Sequence, residues 1–99
     1  MRLDSQHIAA IKRLAAEQFG ARVRVRLFGS RVEDTARGAD VDLLVELDSP
    51  MDRPAWAAAE LSSLVSRLMQ GRRVDVVMLA PDLMRLPIHD VALRDGVLL

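Results

Sequence analysis

Two short segments of this chain carry residue types suited to phosphate and metal chemistry. The first is Leu27-Phe28-Gly29-Ser30-Arg31. The second, Asp40-Val41-Asp42-Leu43-Leu44-Val45-Glu46, follows after a spacer of nine residues, 31–39. A glycine leaving a strand lets the backbone turn sharply and approach a ligand closely. If Ser30 opens a helix, the unpaired N–H groups there favour an anion, and the serine hydroxyl adds a donor to a phosphate oxygen. Taken alone, the pair also reads as a glycine turn with a serine N-cap.

Residues i and i+2 of a strand face the same way, about 6.5–7 Å apart. Asp40 and Asp42 can therefore address a pair of divalent ions about 3.5–4 Å apart. Oxygen-only ligands suit Mg2+ or Mn2+, which keep waters and bind substrate phosphates. Strands disfavour Asp, and like charges side by side repel. Two acids within the apolar run Val41, Leu43, Leu44, Val45 are thus a local conflict of the kind found at functional sites.

Asp75 is a further acid, alone among Val74, Val76, Val77 and Met78. A carboxylate in such a strand needs a metal, a cationic partner or exposure at the strand end. A salt bridge to Arg72 or Arg73 is the structural alternative. If its strand lies beside that of Asp42, Asp75 faces the same ions and is placed to activate an attacking hydroxyl.

The elements that must position these residues are legible from periodicity. Asp4 or Ser5 can cap a helix whose apolar positions Ile8, Ile11, Leu14, Ala15 and Phe19 recur at helical spacing, with Gly20 at its end. From Arg22 the period becomes two, with Arg22, Arg24 and Arg26 alternating with Val23, Val25 and Leu27. Residues 30–37 are polar and read as a short helix or turn, and residues 41–47 as a second strand. Pro54 opens a helix carrying Trp56, Ala57, Leu61, Leu64, Val65 and Leu68 and ending near Gln70-Gly71. Residues 73–79 read as a third strand. Asp82 could cap a helical turn through Arg85, residues 87–93 form a last short helix, and residues 96–99 a terminal strand or tail. This order predicts an α/β or α+β sandwich, with a small mixed β-sheet flanked by helices.

Composition narrows the function classes. Ninety-nine residues, 51% apolar and 28% charged, suit one folded domain spanning 1–99. Fourteen basic and fourteen acidic residues leave no net charge, and Phe19, Phe28 and Trp56 are the only aromatics. A global basic field and base-stacking platforms are both missing, which argues against nucleic acid as partner. There is no cysteine, so thiolate–metal sites and disulfides are excluded. No apolar run approaches a membrane span and the N-terminus lacks a signal-peptide core, so a cytoplasmic location is expected.

Gly29-Ser30, the nine-residue spacer, Asp40-x-Asp42 and the later Arg72-Arg73-Val74-Asp75-Val76-Val77 together resemble the minimal nucleotidyltransferases of the DNA polymerase β superfamily. The likeness runs from about residue 5 to the C-terminus. It implies the polymerase β-like nucleotidyltransferase fold, with Gly29, Ser30 and Arg31 binding nucleotide. It also implies that Asp40, Asp42 and Asp75 are catalytic carboxylates and metal ligands, and that Ser30 contacts the triphosphate. The reaction implied is transfer of a nucleoside monophosphate, AMP from ATP, to a hydroxyl with release of pyrophosphate, using Mg2+ (or Mn2+). Members of this size often pair with a small helical HEPN protein. In toxin–antitoxin pairs of that kind the transferase adds AMP to its partner and silences it. Many relatives place ten residues between Gly-Ser and the first acid, one more than here.

A non-catalytic antitoxin or scaffold, inhibiting a partner by binding alone, is the alternative, and homo-oligomerisation stays open. Arg31 and Arg37 are expected either to screen phosphates or to pair with Glu33 and Asp34. His7 and His89 are assigned no role. Trp56 is expected to be a helix anchor or interface residue, and the leucines of residues 61–68 to be core.

Overall fold

The computed structural model describes residues 4–29 and 41–99. Three helices and four strands follow the order α1 (Ser5–Phe19), β1 (Arg24–Phe28), β2 (Val41–Glu46), α2 (Pro54–Leu68), β3 (Val74–Leu79), α3 (Pro87–Asp95) and β4 (Val97–Leu98). The expected α+β architecture with a small mixed sheet is what forms, consistent with the polymerase β-like nucleotidyltransferase fold that the resemblance implies. Strand order is β3-β2-β1-β4. β1 pairs antiparallel with both β2 and β4, while β2 and β3, joined through α2, are parallel.

Local chemistry explains the element ends. Asp4 caps α1, its carboxylate accepting from the His7 N–H at 2.8 Å. Pro54 stands in the first turn of α2, where its missing N–H costs nothing. After α2, Gln70 (φ 62) and Gly71 (φ 83) reverse the chain in the left-handed region, and the Gly71 N–H donates to the Ser66 carbonyl at 2.8 Å.

Strand alternation divides the core into two layers. Val25 and Leu27, Val41, Leu43 and Val45, and Val74 and Met78 meet Ile11 and Ala15 of α1 and Leu61 and Val65 of α2. The opposite parity sends Phe28, Leu44 and Leu79 toward Ala92 of α3. Leu43, Leu44, Leu61 and Ile11 are wholly buried, each contributing about 1.5–3 kcal/mol relative to exposure.

Three expectations need correction. β1 begins at Arg24 rather than Arg22, because residues 21–22 turn and the Val23 N–H donates to the Gly20 carbonyl at 3.3 Å. No helical turn forms over residues 82–85. The Asp82 carboxylate instead accepts from the Met51 N–H at 3.1 and 3.3 Å, tying two loops together. Trp56 is 62% exposed, so of the two roles expected for it, helix anchor or interface residue, the first is excluded. Residues 30–37, expected as a short helix or turn, lie outside the described residues. Among those described, no helix is long and apolar enough to cross a membrane.

Candidate active site

Asp42 shares the parity of Leu44, and Asp75 that of Val77 and Leu79, so both carboxylates belong to the sheet face that α3 partly covers. Register then brings them together. Asp42 pairs with Asp75 on β3 and with Phe28 on β1. Neighbouring strands lie about 4.8 Å apart, so the two acids are side by side at one end of the sheet. Both are half-buried rather than sealed in, which leaves them open to solvent ions.

Gly29 completes this corner. It follows Phe28 directly and has φ 75, a conformation that favours glycine. A Cβ built on it would sit 2.5 Å from Asp42 Oδ2. The missing side chain is therefore what lets the Asp42 carboxylate lie against the backbone leaving β1.

Asp75 satisfies two of the conditions its sequence context demands. Its side chain is 45% exposed near the start of β3, and Arg73 Nε lies 3.6 Å from its Oδ1. The salt-bridge alternative thus describes the structure, and it does not remove Asp75 from the carboxylate pair. α2 steadies this strand start through two serines at i and i+4. Ser66 Oγ donates to the Arg72 carbonyl at 2.6 Å, and Ser62 Oγ donates to the Val74 carbonyl. These positioning residues escape a motif search. The signal available was two hydroxyls at helical spacing on the same stretch as Leu61 and Val65.

Ser30, Arg31 and Asp40 lie outside the described residues, as do Glu33, Asp34 and Arg37. Among the described residues no group of three or more His, Cys, Asp or Glu side chains gathers into a metal-holding cluster. The two carboxylates that are described form a hard, oxygen-only donor pair on one face, which fits a divalent cation such as Mg2+ or Mn2+.

The remaining candidates are placed away from this corner. Arg22 pairs with Asp48 at 2.7 Å, and Arg26 with Glu46 at 4.0 Å, so part of the arginine ladder is taken up internally. His7 sits 3.5 Å from its capping Asp4. His89 is buried: its Nδ1 accepts from the Leu86 N–H and its Nε2 meets the Met78 carbonyl, both at 2.9 Å. It joins the start of α3 to β3 and holds no ligand-like position.

No curated protein matches the chain significantly. A family model described as "Nucleotidyltransferase domain" matches residues 8–98, nearly the whole chain. That match covers Gly29, Asp42 and Asp75 together with every strand of the sheet. The chain belongs to the nucleotidyltransferase domain family, whose chemistry is nucleotidyl transfer.

Proposed function

We propose that this protein transfers AMP from ATP to a hydroxyl on a partner protein, a HEPN-family toxin, and acts as its antitoxin. The observation that carries the catalytic part is the pairing of Asp42 with Asp75 beside the glycine turn at Gly29. In this reading Asp40, Asp42 and Asp75 hold Mg2+, while Gly29, Ser30 and Arg31 receive the triphosphate. Bound Mg2+ would supply Lewis-acid stabilisation of charge on the transferring phosphoryl group.

The chain's own residues do the rest. Gly29 keeps the backbone close enough for N–H groups to approach phosphate oxygens. Ser30 offers its hydroxyl, and the Arg31 guanidinium can donate two parallel hydrogen bonds to a phosphate. In this reading Asp75, partly exposed at its strand start, accepts the proton of an incoming hydroxyl. Loss of that proton makes the oxygen a nucleophile: it bonds to the α-phosphorus as the bond from that phosphorus to the α–β bridging oxygen breaks, and the β- and γ-phosphates leave together as pyrophosphate. A protein acceptor is favoured over nucleic acid because net charge is zero and three aromatics are present in all.

The test is intact-mass analysis of a HEPN partner co-expressed with this chain, then incubated with ATP and MgCl2. A shift by one or more AMP units is expected, and it should vanish with Asp42→Asn. A partner silenced with no mass change would show inhibition by binding alone and defeat the proposal.

A further inference from the structure

Among the described residues, the cation paired with Asp75 is Arg73. It immediately precedes β3, and its carbonyl accepts the Val41 N–H at 2.9 Å, so the β2–β3 ladder already holds its backbone. Two positions apart on an extended chain, Arg73 and Asp75 project to the same side. Their side chains meet at 3.6 Å, at an edge where Arg73 is 72% and Asp75 45% exposed. Beside them Asp42 places a second negative charge at the same register. Two adjacent carboxylates repel, and a guanidinium next to one of them relieves that repulsion.

We infer that Arg73 is the counter-cation of this carboxylate pair and that its charge sets how tightly the pair takes a divalent ion. The inference rests on reading Asp42 and Asp75 as divalent-ion ligands. A cation approaching Asp75 meets an oxygen already engaged by Arg73 and must displace or share it. Arg73 thus acts through Asp75 as a positioning residue. It holds the carboxylate in place before metal arrives and weakens metal binding in return. An ion pair this exposed is worth a fraction of a kcal/mol to about 1 kcal/mol, equivalent to about a two- to fivefold change in affinity.

The experiment is a Mn2+ titration of the nucleotide-free protein, followed by the electron paramagnetic resonance signal of free Mn2+. Arg73→Gln is expected to bind Mn2+ about two- to fivefold more tightly than the parent, with the difference shrinking as KCl screens the charges. Arg73→Lys, which keeps the charge, should restore parental affinity. Arg94→Gln, which removes a charge paired with Asp95 on α3, should leave it unchanged. Equal or weaker binding by Arg73→Gln, with the parent binding normally, would overturn the inference alone. A parent that binds no Mn2+ would overturn the reading of the carboxylates and the inference with it. Thermal melts of each variant identify any that fail to fold, and Arg73→Lys then stands as the test: affinity departing from the parent would overturn the role of charge.

Discussion

Asp42 and Asp75 stand opposite each other on parallel strands, one contributed by each side of the α2 crossover. An apolar or uncharged residue at either place would carry less conflict, since directly opposed like charges are destabilising. The fold tolerates the pair because Arg73 lies beside it and because both side chains keep solvent access.

Neutralising either acid should therefore separate stability from activity. Asp42→Asn and Asp75→Asn are expected to unfold within about 1 kcal/mol of the parent, since both side chains are only partly buried and the ion pair at Asp75 is exposed. Nucleotidyl transfer should fall by about a hundredfold or more, as several kcal/mol of metal-borne stabilisation is lost. Calorimetry and a radiolabelled-ATP transfer assay measure the two effects on one preparation.

Gly29→Ala tests the close approach at the glycine turn. The added methyl would occupy the position 2.5 Å from Asp42 Oδ2, and a φ of 75 disfavours any L side chain. Stability should drop by about 1–2 kcal/mol. Transfer should be lost even at temperatures where the variant is fully folded, because the Asp42 carboxylate has to move. Denaturant unfolding followed by a transfer assay below the transition checks both parts.

Gln70 invites the opposite experiment. It is an exposed non-glycine residue at φ 62 in the turn after α2. Gln70→Gly should raise stability by about 0.5–1 kcal/mol through release of the left-handed strain. A thermal melt that shows no gain would mean that the side chain contributes a compensating contact.

His89 makes a prediction about a proton. Because Nδ1 accepts from the Leu86 N–H, Nε2 must carry the hydrogen that it donates to the Met78 carbonyl. Long-range nitrogen–proton correlation NMR should show the Nε2–H tautomer. His89→Ala removes both bonds from a buried site and should cost about 2–3 kcal/mol, read from denaturant unfolding. Transfer activity at low temperature should be less affected than in the Asp variants.

The sequence alone determined much of this protein's local structure. The 3.6-residue period of Ile8 through Phe19 and of Ala57 through Leu68 specified α1 and α2. The alternation around Val25 specified one strand and the short apolar runs at 41–47 and 73–79 two more, because hydrophobic patterning is a short-range property of the chain. Asp75 was legible as a lone acid within a strand, facing the same ions as Asp42 on the condition that the two strands are neighbours. Gly29 was legible as a glycine turn leaving a strand, and its φ of 75 and its closeness to Asp42 came only with the structure. Residues whose roles depend on distant partners were not legible. That β3 lies parallel beside β2, with Asp75 at the register of Asp42, was decided by α2 packing its Leu61 and Val65 against the sheet. Only tertiary structure turned Asp82 from a helix cap into a partner of Met51, buried His89 between α3 and β3, and aimed Ser62 and Ser66 at the start of the strand that carries Asp75. Periodicity fixes which face a side chain takes. Which residue stands opposite it is fixed by contacts between segments far apart in the chain, and those exist only once the core has formed.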